Sequence, residues 1–120
     1  MPHVTIEGPA SVERFYQHFT PINIREPDAI LKIQEAYLDT AKMEVLLDCL
    51  VVEDRTPQAF YMRVLQKGGK ITVHLDRLTD PEKTPGVKRL IALIGQQLKS
   101  QAAACRYGPH NLAGYLLEEG

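Results

Sequence analysis

The chain has 120 residues, with 14 Lys and Arg against 15 Asp and Glu and a formal net charge of −1 at pH 7. Hydrophobic residues make up 44% and charged residues 24% of it, which excludes a disordered, collagen-like or low-complexity chain. The near-zero charge argues against nucleic acid or an anionic membrane as a partner, because both are bound through a basic field. We expect one α+β domain over residues 1–120.

No targeting or membrane-spanning segment is indicated. The first residues, Met1 to Glu7, lack the basic start and apolar run of a signal peptide. The apolar runs are far shorter than the ~20 residues that cross a bilayer. Two cysteines, Cys49 and Cys105, are too few for a disulfide framework in a chain with its own core. These features predict a cytoplasmic protein.

The N-terminal segment predicts a short strand followed by a short helix. Residues 3–7 alternate weakly, and Gly8-Pro9 stops the strand. Ser11 is a candidate N-cap, and Pro21 ends the helical segment. The apolar stripe of this helix has the spacing i, i+3, i+4, i+7 and consists of Val12, Phe15, Tyr16 and Phe19.

A second helix is expected to begin at Pro27 and to end near Asp39-Thr40. Proline fits the first turn of a helix, and Asp28 would lie near the positive end of the helix dipole. The buried face of this helix is predicted to hold Ile30, Ile33 and Tyr37, widened by Ala29, Leu31 and Leu38.

From Met43 the apolar period changes from helical to alternating, which predicts a strand over 43–53. Helix formers within 41–50 make a helix the competing interpretation, but the β-branched end favours a strand. The predicted turn that follows is Asp54-Arg55-Thr56-Pro57. The core face of the strand consists of Met43, Val45, Leu47, Cys49 and Val51.

Two alternating segments, 60–65 and 71–75, flank Gly68-Gly69 and predict a tight hairpin. With that turn, residues whose numbers sum to 137 face each other. The core face would hold Phe60, Met62, Val64, Val73 and Leu75. The opposite face would hold Tyr61, Arg63, Leu65, Thr72, His74 and Asp76.

A long helix is predicted after a turn at 80–83. Thr84 can cap it, Pro85 fits its first position, Gly108 is a candidate C′ residue, and Pro109 prevents continuation. The tail 112–117 would form a last strand or lie on the surface. The helix stripe consists of Val87, Leu90, Ile91, Ile94, Leu98 and Ala102.

The predicted order is therefore β-α-α-β-β-β-α, with an optional last strand. It favours an α+β two-layer sandwich in which an antiparallel sheet of three to five strands contains a central hairpin meander. Two or three helices would cover one face of the sheet, and a ferredoxin-like arrangement is compatible with this order.

The outer face of the meander is the first candidate site. A histidine near carboxylates can act as a general base, so His74 with Asp76 or Asp48 forms a candidate catalytic set. Arg63 and Tyr61 are candidates for binding an anionic group. The alternative is a solvated sheet face whose cross-strand pairs are only structural.

The same face also contains apolar residues at Leu46, Leu50, Val52 and Leu65. An antiparallel sheet with one wet face alternates more cleanly than this. The face would bind an apolar ligand, pair with a second copy, or be covered by the C-terminal tail. Because two-fold dimers are the commonest assembly, we favour a homodimer interface.

The start of the long helix is the second candidate site. Thr84, Lys88 and Arg89 lie where backbone donors and the helix dipole favour an anion such as phosphate or carboxylate. The alternative is an ordinary capped helix with solvated basic residues.

Metal binding is not indicated, because the histidines lack the close spacing of a zinc site. They are His3, His18, His74 and His110. Cys49 alternates with core residues and reads as a small buried hydrophobe. Cys105 is expected near the end of the last helix, where the dipole opposes a thiolate.

The leading functional hypothesis is a cytoplasmic homodimeric binding or interaction module that could also take a small anionic ligand. One alternative is a small acid–base enzyme using His74 with Asp76 or Asp48 and Arg63. Another is an accessory subunit of a larger complex. The sequence assigns no cofactor.

Overall fold

The computed structural model describes residues 1–117. Within them, the seven strands form one antiparallel sheet in the order β2-β3-β4-β5-β6-β1-β7, curled into half a barrel. The elements are β1 His3–Glu7, α1 Val12–Gln17, β2 Ile22–Glu26, β3 Ala29–Leu38, β4 Glu44–Glu53, β5 Thr56–Lys67, β6 Lys70–Leu75, α2 Pro85–Lys99 and β7 Arg106–His110.

The fold class predicted from the sequence is wrong. Seven strands in one sheet replace the expected three to five, and the two helices of the described chain have only 6 and 15 residues. The two-layer sandwich, with its ferredoxin-like option, gives way to a curled sheet whose core side is covered by α1 and α2. No helix within residues 1–117 is long and apolar enough to cross a membrane.

The helix expected from Pro27 onwards is the largest local error, because residues 22–38 form the hairpin β2-β3. Apolar residues in this segment recur at spacings that suit either a helix or a strand, and pairing of β3 with β4 decides between them. Leu31 and Ile33 are fully buried in alternation, whereas Tyr37 of the predicted helical stripe is 53% exposed.

The meander β4-β5-β6 confirms the sequence prediction. Arg63 pairs with His74, and the residue numbers of each pair between β5 and β6 sum to 137. The predicted core side chains of these three strands are buried, with the exception of Met43, which is 37% exposed. Local turn chemistry and a period of two were sufficient to fix this register.

The turn between β4 and β5 is shorter than the predicted four residues. Only Asp54 and Arg55 form it, with φ of 48° and 65°, and Thr56 already begins β5. Positive φ at both central residues is the geometry of a two-residue hairpin turn that matches the twist of the strands.

Helix α2 packs on the core face of the sheet, with contacts to β1, β3, β4 and β6. Its predicted start is confirmed, since the Thr84 hydroxyl accepts a hydrogen bond from the amide of Val87 and Pro85 is the first residue. Its largest fully buried side chains are Leu90, Ile91, Ile94 and Leu98.

The end of α2 comes earlier than predicted. The helix stops at Lys99, so Ala102 and Cys105 lie in the connection to β7, and Gly108 lies within β7 rather than at a helix end. The side-chain amide of Gln101 makes two hydrogen bonds with the backbone of Ser11: its oxygen accepts from the Ser11 amide, and its nitrogen donates to the Ser11 carbonyl. These bonds hold the connection against α1.

The last strand is β7 at 106–110 rather than the predicted 112–117. It pairs with β1, which in turn pairs with β6, so the N-terminal strand lies inside the sheet. Leu112 after β7 is buried in the core. The predicted strand at 3–7 and the Ser11 cap of α1 are both confirmed.

Candidate functional site

The outer face of the sheet, defined as the β3–β6 side chains that alternate with the core, carries a charged cluster around Arg63. The guanidinium forms an ion pair with Glu44, and its Nε lies 3.3 Å from Oδ1 of Asp76. Asp76 is only 7% exposed and is one of the few buried polar residues of the described chain. Two carboxylates therefore bind the arginine that was predicted to hold an anion.

The pKa of Arg63 reflects this arrangement. Burial lowers it, but the hydrogen bond that Arg63 donates to Asp76 and the charges of Glu44 and Asp76 more than offset burial, so the pKa stands above its ordinary value. Arg63 is firmly charged, and it neutralises the carboxylates rather than standing free. An anionic ligand would compete with Glu44 and Asp76 for it.

The structure places the acid–base candidates on one face but does not join them. Nδ1 of His74 lies 2.9 Å from the carbonyl oxygen of Leu75, and among residues 1–117 no hydrogen bond links His74 to Asp76 or Asp48. Asp48 pairs in register with Tyr61, one row away from His74. The catalytic set stays a prediction.

A shallow hollow of about 250 Å³ lies on this face where β1 meets β6. His3 faces His74 across the two strands, and Thr72 and Arg77 also line the hollow. His3 could not be placed there from the sequence, because the pairing of β1 with β6 joins residues some 70 positions apart. The only sequence signal for the position of His3 is the alternation of residues 3–7, which predicts a strand.

Apolar side chains occupy the middle of the outer face. The four residues predicted as an interface, Leu46, Leu50, Val52 and Leu65, are all half-buried. Tyr37 and Tyr61 stand beside them and are 53% and 36% exposed. The predicted interface residues therefore lie on two neighbouring strands, with Leu65 close to Leu46 at the start of β4 and with Leu50 and Val52 toward its end.

The start of α2 is held by carboxylates of the chain itself. The amide of Gly86 donates to Oε2 of Glu53 at 2.9 Å, and Arg89 forms a two-pronged ion pair with Glu26 at 2.8 and 2.9 Å. The Lys88 ammonium lies 5.6 Å from the ring centre of Tyr115. An incoming anion would compete with Glu53 and Glu26 for this helix start.

The ion pair between Arg89 and Glu26 shifts the pKa values of both side chains. The hydrogen bonds that Arg89 donates to Glu26 lower the pKa of the carboxyl and raise the pKa of the guanidinium. Both side chains are about two-fifths exposed, so solvent screens the pair.

A groove of about 430 Å³ between α1 and the end of α2 was missed by the sequence analysis. Its lining residues are Arg14, Phe15, His18, Gln96, Gln97, Ser100 and Gln101. His18 at the edge of the α1 stripe is the one signal in the sequence. The packing of α1 on α2 that completes the groove is a long-range contact.

Neither cysteine forms a disulfide, and both are buried. Burial, and then the charge of Asp48, raises the pKa of the Cys49 thiol. Among residues 1–117 there is no cluster of three or more His, Cys, Asp or Glu arranged to hold a metal ion.

Comparisons with protein-family models, with curated proteins and with solved structures gave no significant match.

Proposed function

We propose that the chain is an interaction module that forms a homodimer through the outer face of its sheet. The observation that carries the proposal is the run of half-buried apolar residues along β4, at Leu46, Leu50 and Val52. Both helices pack on the opposite, core side. A sheet with one helix-covered face and one partly apolar face can be completed by a second sheet, because sheets pack face to face at ~10 Å.

Tyrosines and mixed charge on the same face also support self-association. Tyr37 and Tyr61 offer large amphipathic side chains of the kind enriched at interfaces. Lys32 beside Leu50, and Glu35 beside Asp48, place both signs of charge among the apolar residues. The net charge of −1 adds little repulsion between two copies.

The decisive experiment is sedimentation equilibrium of the wild-type chain and three variants at micromolar concentration. The wild type should be a dimer, and Leu50→Glu and Leu65→Glu should shift it to monomer, because each places a charge in the apolar face. Leu78→Glu is the matched control, since Leu78 is 90% exposed outside the strands and should leave the dimer intact.

A wild type that is monomeric over this range overturns the proposal, as do two face variants that stay dimeric. Circular dichroism and urea unfolding on each variant establish that a monomer is folded. A folded monomer that co-purifies with another protein would instead support an accessory subunit of a larger complex.

A further inference from the structure

We infer that the groove between α1 and α2 binds a small amphipathic organic anion, with a carboxylate at Arg14 and an apolar or aromatic body against Phe15. This site is distinct from the outer face of the sheet. The inference rests on the rigidity of the groove, on its charge and on its mixed lining.

The groove has a fixed shape, because α1 is bonded to its surroundings at its start. The amide of Ser11 donates to Oε1 of Gln101 at 2.8 Å, and Nε2 of Gln101 donates back to the Ser11 carbonyl at 2.9 Å. The amide of Val12 donates to Oε1 of Gln66 on β5 at 2.9 Å. A groove held open without ligand loses less freedom on binding.

The charge of the groove is positive. Among residues 1–117 its lining contains Arg14 and no Asp or Glu, and within the same residues the Arg14 guanidinium makes no hydrogen bond or ion pair. The nearest acidic neighbour in sequence, Glu13, pairs with Lys42 at 3.3 Å. An arginine without a partner beside a groove suits a carboxylate, which it can bind through two hydrogen bonds.

The carbonyl groups at the end of α2 do not depend on Arg14 for a hydrogen-bond donor. The carbonyl groups of Gln96 and Leu98 already accept hydrogen bonds from the amides of Ser100 and Gln101. Nδ1 of His18 lies 3.0 Å from the Arg14 carbonyl. His18 and Arg14 both line the groove.

The apolar part of the lining accounts for the second half of the ligand. Phe15 lines the groove while only 5% exposed, and its ring packs against Phe19 with centroids 6.2 Å apart. Gln97 and Ser100 supply an amide and a hydroxyl on the α2 side. A volume of about 430 Å³ is in the range of small-molecule sites, which combine an apolar wall with a few polar groups.

The test uses phenylacetate and 3-phenylpropionate as probes, with binding followed by amide chemical shifts of the full chain. At least one probe should shift residues 14–18 and 96–101. Acetate should shift them far less because it lacks the ring. The neutral phenylacetamide should bind about tenfold more weakly than phenylacetate, because the charge-assisted bonds to Arg14 are lost.

Three variants test whether the ligand is bound by the charge of Arg14 or by the overall charge of the protein. Arg14→Gln should raise the dissociation constant at least about tenfold, and Gln97→Glu should do the same by repulsion. Arg25→Gln, the same change at an exposed arginine of β2 outside the groove, should leave it unchanged. The inference is overturned if neither probe binds or if the shifts map outside the groove. It is also overturned if phenylacetamide binds the wild type as tightly as phenylacetate does, or if the Arg14→Gln variant binds the probes as tightly as the wild type.

Discussion

Glu53 at the end of β4 and Gly86 in the first turn of α2 are joined by a hydrogen bond from the glycine amide to the glutamate carboxylate, 2.9 Å long. The other oxygen, Oε1, is buried without a hydrogen-bond partner within residues 1–117. A carboxylate at a helix start is stabilised by the free amides and by the helix dipole. The contact fastens the start of α2 to the end of β4.

Gly86→Ala should therefore destabilise the protein, although the same change in an open helix is stabilising by up to ~1 kcal/mol. An added Cβ would lie 2.8 Å from Cγ1 of Val51 and 2.9 Å from Cδ of Glu53. We expect a loss of about 1–3 kcal/mol in the free energy of unfolding, measured with urea. Gly69→Ala is the control, because its Cβ meets nothing within 4 Å. A stabilised Gly86→Ala would contradict the packing described.

This contact also shows where sequence reasoning stops. The Thr84 cap and the Gly68-Gly69 hairpin were predictable, because capping and two-residue turns depend on neighbouring residues. The bond between Glu53 and Gly86 spans 33 residues, and no local pattern encodes it. The same limit explains the error at residues 22–38, where pairing with β4 overrides a helical apolar spacing.

The candidate site likewise has a part that local sequence predicts and a part that depends on long-range contacts. The neighbourhood of Arg63 and His74 followed from the register of one hairpin. The involvement of Glu44 depended on a second pairing, between β4 and β5, that the alternation could not align. The groove at Arg14 depended on α1 meeting α2, which required the whole sheet to be in place.

Asp76→Ala should lower the free energy of unfolding by about 1–2 kcal/mol. The change removes a buried carboxylate that accepts from Arg63 Nε at 3.3 Å and leaves a guanidinium that is about one-third exposed. The measurement is urea unfolding at neutral pH.

The control for this change is Glu35→Ala on β3, which is separated from β6 by two strands. Glu35 is exposed and has no ion pair among residues 1–117, so its loss should fall within about 0.5 kcal/mol of the wild type. If Asp76→Ala is as stable as that control, the Arg63 cluster contributes nothing to folding.

The ion pair of Glu26 with Arg89 should make stability depend on pH. The hydrogen bond from Arg89 lowers the pKa of Glu26 in the folded state, so between the folded and the unfolded pKa the unfolded chain binds more protons and stability rises with pH. The contribution is complete above the ordinary pKa of a glutamate and is lost as the pH falls through the lower folded pKa.

Glu26→Gln isolates this contribution. Urea unfolding should show the wild type more stable than the variant at about pH 7, with the difference shrinking as the pH falls below the ordinary glutamate pKa of about 4.3. High salt should shrink it as well, because both side chains are partly exposed. If the wild type and the variant differ in free energy of unfolding by the same amount at neutral and at acid pH, the effect comes from packing rather than from charge.

Cys49 should be inert toward thiol reagents in the folded protein. Its side chain is fully buried, and burial followed by the charge of Asp48 raises the pKa of the thiol, which suppresses the reactive thiolate. In a Cys105→Ser variant, which leaves Cys49 as the single thiol, an aromatic disulfide reagent should give no fast reaction at neutral pH. Urea should restore the rate of an ordinary thiol. A fast native reaction would mean that β4 opens locally, and unfolding by urea of the same variant distinguishes that opening from a globally weakened fold.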